Sequence, residues 1–212
     1  DINPNKISIT HMRYNEELFK LQPTAKIKKV KEKYAITGDY IIFVGTLQPR
    51  KNVESLLKAL KLIDLGIKLV VVGKKGWLFD SIFKKVRESK LEANVIFTDY
   101  VTQQELPALI SGAKLYVLPS LYEGFGIPVI EAQACGVPTV VSNTSSLPEV
   151  VGKSGVLIDP TDSNSIAKGI KKILSSEKLS QDLVKMGYEN VKRFSWEKCA
   201  AETLKVLESL NR

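Results

Sequence analysis

Between Tyr40 and Asp159 short apolar runs alternate with longer amphipathic stretches, and few folds accommodate that rhythm. The runs YIIFVG, IKLVVVG, NVIFT, KLYVLPS, PTVVS and GVLID are strand-sized and lack polar alternation, so each strand is covered on both faces. The stretches NVESLLKALKLID, WLFDSIFKKVRES, QQELPALISGA and PVIEAQACG that separate them carry helical patterning. Strands joined by helices form a parallel sheet, and right-handed crossovers on both sides make it doubly wound. The predicted fold is therefore α/β, a Rossmann-like parallel sheet. After Asp159 only helical segments follow, and Ser195 ahead of Trp196 and Glu197 reads as the N-cap of the last. Residues 1–35 stand outside the rhythm and read as a linker region with a short strand, KISIT, and then a helix. Residues 36–212 read as one Rossmann-like domain with C-terminal helices.

With 212 residues and 44% apolar content the chain has a real core. No apolar run approaches the roughly 20 residues of a membrane-spanning helix, and DINPNKISIT lacks the basic start and apolar stretch of a secretory leader. Cys135 and Cys199, without a CxxC, read as reduced thiols of a cytoplasmic protein. A single histidine, His11, cannot build a catalytic triad or a histidine metal site. The net charge of +8 favours anionic partners. It is partly gathered in KIKKVKEK, residues 26–33, which is either a solvated helix face or an anion-seeking one. No aromatic residues interleave those lysines, so nucleic acid is not an expected partner.

In a doubly wound sheet the ligand lies beyond the carboxyl ends of the strands, near the point where strand order reverses. The loops there are GTLQPRKN, GKKGW, TDYVTQQE, PSLYEGFGIP and SNTSSLPE. The first brings Gly45, a turn proline, Arg50 and Lys51 to a helix start, a combination suited to a diphosphate. It is neither a GxxxxGK[ST] phosphate loop nor a GxGxxG turn. In EGFGIPVIE, Gly124 and Gly126 admit a close ligand and Pro128 suits a first helical turn. The amides of Phe125 to Ile127 then face an anion or a sugar hydroxyl, and Glu131 lies one turn further on. Glu123 and Glu131 either accept hydrogen bonds from vicinal hydroxyls or simply favour a helix N-terminus electrostatically.

The segment EGFGIPVIEAQACGVPTVVSNTSSLPEVVG resembles the E-x7-E region of retaining GT-B glycosyltransferases, the large family that includes bacterial and archaeal mannosyltransferases. VGTLQPRKNVESLLKAL resembles its phosphate loop, and PTDSNSIAKGIKKIL and FSWEKCAAETLKVLE its closing helices. The resemblance implies the C-terminal, nucleotide-sugar-binding half of a GT-B enzyme, with the N-terminal acceptor domain outside this chain and residues 1–35 as the interdomain linker. It implies that Glu123 contacts the donor sugar and Glu131 the ribose. Gly124, Phe125, Gly126 and Ile127 hold sugar and phosphate through their amides, and Arg50 and Lys51 stabilise the departing diphosphate. Tyr100 and Val101 lie against the base, with Gly73 and Lys74 nearby. Many relatives carry arginine directly after the glycine that ends the first strand, where this chain has Thr46; Arg50 is expected to supply that charge. His11 falls on a linker position and is expected to be structural. The last helix, with Trp196 and its leucines, is expected to pack on the absent domain.

The implied activity is transfer of a hexose, mannose foremost, from a GDP- or UDP-linked donor to an acceptor hydroxyl with retention and without a metal. The acceptor is a glycan or a lipid-linked glycan, and the basic surface suggests peripheral contact with the inner face of the membrane. Two other classes stay open: a nonenzymatic nucleotide-binding module, and a nucleotide-sugar epimerase of the same architecture.

Overall fold

The computed structural model describes residues 3–63, 66–77 and 79–209. Its centre is a parallel sheet of six strands, β1 (Tyr40–Val44), β2 (Lys68–Val72), β3 (Val95–Asp99), β4 (Leu115–Leu118), β5 (Thr139–Ser142) and β6 (Gly155–Ile158), in the order β3-β2-β1-β4-β5-β6. The predicted doubly wound α/β sheet is thus present, with its reversal of strand order between β1 and β4. Tyr40, Ile41, Ile42 and Phe43 of β1 are wholly buried, as an unalternated apolar run requires. The one polar side-chain atom this buries, Tyr40 Oη, donates to Leu109 O at 2.7 Å.

Helices α2 (Val53–Lys61) and α3 (Asp80–Glu88) pack side by side on one face with α7 (Ser163–Leu174). On the other face α1 (Thr24–Lys33), α4 (Leu106–Ser111), α5 (Ile127–Ala134) and α8 (Glu177–Val191) form the second layer. The short α6 (Leu147–Val151) rests on α5, and α9 (Trp196–Ser209) closes the described chain. Caps sit where hydroxyl and carboxylate side chains precede apolar periodicity: Asn164 N–H donates to Asp162, Leu179 N–H to Ser176, and Lys198 N–H to Ser195. The N-cap expected of Ser195 is therefore present. Helix α8 is locked to α5 and α6 by Asn190, whose Nδ2 donates to Gln133 Oε1 (2.8 Å) and Val150 O (2.9 Å).

Two expectations need correction. KISIT is not a strand: a single 3-10 turn spans Pro4–Lys6, and residues 7–10 pair with nothing in the sheet. Its alternation put Ile7 and Ile9 on one face, but no neighbouring edge receives them and they are 61% and 67% exposed. The SNTSSLPE stretch, read as a loop throughout, ends in α6. Further along the leading segment Phe19, Val30 and Ile36 enter the core. On α1 the lysines turn outward, and three of them already have partners: Lys26 on Gln22, Lys31 on Gly38 O and Lys33 on Glu105. No helix among the described residues is long and apolar enough to cross a membrane. Helix α9 buries no residue and exposes Trp196, Leu204 and Leu207.

The ends of β1 and β2 are continued by a bridge between Leu47 and Lys75, in which Leu47 N–H donates to Lys74 O and Gly76 N–H to Leu47 O. This brings the two loops so close that a Cβ on Gly73, at φ +151°, would lie 2.0 Å from Gly45 O. Gly73→Ala is expected to lower the unfolding free energy by at least about 1–3 kcal/mol, measured by urea titration. The strand bridge at Leu47 would be the first element displaced.

Candidate functional site

Because the crossovers leaving β1 and β4 depart toward opposite faces, their loops part and leave a crevice at the carboxyl edge. From β1, a 3-10 turn over Pro49–Lys51 delivers Arg50 and Lys51, and left-handed Asn52 (φ 56°) redirects the chain into α2. Asn52 is fastened by its Nδ2, which donates to Pro119 O and Pro160 O. From β4, residues 119–126 carry Glu123 to meet them. Lys51 Nζ donates to Glu123 Oε1 at 2.6 Å and Arg50 Nη1 to Glu123 Oε2 at 3.0 Å. Ser120 Oγ donates to the same Oε1 at 2.6 Å.

Lys51 and Glu123 are both withdrawn from water, with side chains 9% and 8% exposed. Burial alone would raise the carboxyl's pKa, but Lys51, Ser120 and Arg50 together outweigh it and hold Glu123 below the usual glutamate value. Glu123 is ionised at neutral pH, and removing Lys51 would strand a buried charge. Arg50 is different, with a side chain 44% exposed at the crevice mouth and a second bond to Tyr122 O. It retains unused N–H donors toward solvent.

After Glu123 the chain turns through Gly124, Phe125 and left-handed Gly126 (φ +109°) into α5, with Pro128 in the first helical turn. Among the described residues, the amides of Gly124, Phe125, Gly126 and Ile127 donate to no protein acceptor. Unspent amides at a helix start form a cradle for an anion. Glu131 follows in α5, half-buried and without a polar partner among the described residues. Burial pushes its carboxyl up to about 7. Tyr116 is wholly buried within electrostatic reach of both glutamates, its phenol raised by burial and then by the charges of Glu123 and Glu131.

The other predicted residues form a second group on the same edge. Lys74 Nζ stands 4.8 Å from the ring centre of Tyr100, which is exposed, while Val101 beside it is buried and offers a ligand only backbone. Gly45 donates its N–H to Val72 O and leaves room for the Lys51 stem, and Thr46 is exposed, its methyl beside Gly76 of the loop after β2. His11, from the leading segment, lies tilted against Phe125 (6.0 Å between ring centres) and bonds Glu149 on α6 at 2.7 Å. Among the described residues no three His, Cys, Asp or Glu side chains gather as a metal site. Several residues at the site were not singled out from sequence: Ser120, Tyr116, Asn52, Ser145 and Ser146. The clustering of Thr144, Ser145 and Ser146 at a strand's carboxyl end was the available signal for the last two.

A parallel sheet with a crevice at its strand-order reversal is a ligand-binding architecture that hosts many activities. The family described as glycosyl transferases group 1 matches residues 26–190, and the chain belongs to it. More closely, the fold is that of the C-terminal domain of a GT-B enzyme. The C-terminal domain of a group 1 glycosyl transferase from Francisella tularensis, LpcC, superposes with a TM-score of 0.74 at 21% identity, over 85% of this chain and 97% of that one. HepE of Anabaena, solved in complex with UDP and glucose, superposes with a TM-score of 0.83 at 20% identity, over 96% of this chain and 56% of HepE. In sequence, O-antigen chain mannosyltransferase B of Escherichia coli is 36% identical over 191 residues, which are 88% of this chain and 50% of that protein. The chain thus spans half the length of that relative.

The raised carboxyl of Glu131 has a sign that can be checked. Its folded pKa of about 7 exceeds an ordinary glutamate's, so the native state holds a proton that the unfolded chain has lost. Stability should fall as pH rises from about 4.5 through about 7 and then level off, by roughly 3 kcal/mol in total. Urea titrations of the wild type and Glu131→Gln across that range should show the decline only in the wild type.

Proposed function

We propose that this chain is the donor-binding domain of a retaining hexosyltransferase that takes its sugar from a nucleoside diphosphate. The observation that carries the reading is the convergence of Arg50, Lys51 and Glu123 with four undonated amides at one crevice. In this reading the amides of Gly124, Phe125, Gly126 and Ile127 receive the diphosphate, and Arg50 approaches it from the opposite loop. As the bond to the anomeric carbon breaks, negative charge builds on the β-phosphate oxygens. Cations and amides already fixed there stabilise it without reorganising. Lys51 acts chiefly through Glu123, holding that carboxylate ionised and oriented toward the sugar's hydroxyls. Glu131 accepts the ribose hydroxyls. Tyr100, Lys74 and the backbone at Gly73 and Val101 bound the base.

Mannose is the favoured sugar, supported by likeness to a mannosyltransferase at 36% identity. A glycan or lipid-linked acceptor would bind mainly through a partner domain that completes the crevice. The outward lysines of α1, Lys28 and Lys29 foremost, support peripheral contact with anionic membrane. Flotation with vesicles should then depend on their anionic lipid content, and equal binding to neutral vesicles would remove that part of the reading.

Calorimetric titration with GDP, UDP and ADP tests the central reading. One nucleotide is expected to bind, and Glu131→Ala is expected to weaken it roughly 10- to 100-fold through loss of charged hydrogen bonds. Failure of all three nucleotides to bind would overturn the assignment.

A further inference from the structure

The donor loop is shaped from behind by the hydroxyl residues that follow β5. Ser146 Oγ lies within hydrogen-bond distance of two carbonyls of that loop, Phe125 O at 2.7 Å and Glu123 O at 3.0 Å, and shares its one proton between them. Ser145 Oγ accepts the Glu123 N–H at 3.0 Å, and Thr144 Oγ1 reaches Leu121 O at 3.4 Å. Ser145 does this from a left-handed conformation, φ 54°, that a residue with a Cβ seldom adopts. Leu147, next in sequence, lies where a Cβ on Gly126 would meet it at 2.8 Å, so the loop is held by packing as well as by hydroxyls.

In a trans peptide the C=O and N–H point in opposite directions. Fixing the carbonyls of Glu123 and Phe125 on one hydroxyl therefore turns the next amides, those of Gly124 and Gly126, away from Ser146. Those are two of the amides that donate to no protein acceptor among the described residues. We infer that Ser146, assisted by Ser145, is a positioning residue that presents the Gly124 and Gly126 amides to the terminal phosphate of a nucleoside diphosphate. The inference rests on the donor-site reading above and deepens it. The serines touch no ligand themselves; they decide which way two peptide planes face.

This role separates from general support of the fold by the part of the ligand it affects. The 212-residue chain is titrated with GMP and GDP, and with UMP and UDP, and the gain in affinity from the second phosphate is compared among variants. In Ser146→Ala that gain is expected to shrink about fivefold or more, as loss of a well-placed hydrogen-bond set implies, with monophosphate affinity within about twofold. Ser146→Thr, which keeps the hydroxyl, should restore it. Ser145→Gly serves as a second variant, because glycine is at ease at that φ and only the acceptor is lost. In the wild type, the amide nitrogen resonances of Gly124 and Gly126 should shift on adding diphosphate and much less on adding monophosphate. An unchanged second-phosphate gain in a folded Ser146→Ala, or glycine amides indifferent to the diphosphate, would overturn the inference while nucleotide binding itself stood. A wild-type chain that binds no nucleotide would remove the donor reading and this inference together.

Discussion

A lysine ammonium and a glutamate carboxylate meet almost out of water where the sheet reverses its strand order, and the geometry of the crevice depends on that contact. Lys51 comes from the loop after β1 and Glu123 from the loop after β4, and the pair spans the point at which the two crossovers diverge. Isolated in the interior, either charge would be costly; together, with Ser120 and Arg50 supplying further bonds, they are tolerated and fixed. The contact ties two loops that share no covalent neighbour. It leaves Arg50 at the mouth with donors to spare, and the amides of the glycine turn beyond it without a protein acceptor among the described residues.

Much of the architecture was legible because its signals are local. Each strand is an apolar run, the inner strands β1, β2, β4 and β5 are buried on both faces while the edge strands β3 and β6 are only partly covered, and the helices between them dictate parallel pairing. The exceptions are informative. KISIT has a strand's alternation, yet alternation is a property of one segment and pairing needs an edge, which Ile7 and Ile9 do not find. Helix α6 is only five residues long and contains Pro148, so its composition is indistinguishable from that of a turn.

At the site, the residue types were legible and their partnerships were not. Arg50 and Lys51 stood out as a cation pair suited to a diphosphate and Glu123 as a carboxylate suited to a sugar, in separate loops at strand ends. That they bind one another follows from neighbourhood across the sheet, 72 residues apart in the case of Lys51 and Glu123. The serines behind the glycine turn were hidden for the same reason. A hydroxyl facing two carbonyls 21 and 23 residues away leaves no trace in the pattern around it.

The half-buried carboxyl of Glu131 has a further consequence. With its pKa near 7, about half of the molecules at neutral pH carry a proton there. A ligand whose hydroxyls require the ionised form must expel that proton on arrival, and the surrounding buffer must absorb it. The heat of binding would then contain a share of the buffer's own ionisation enthalpy. Titrations in phosphate and in Tris, at one pH, would differ in enthalpy while agreeing in affinity, and the difference would count the protons released.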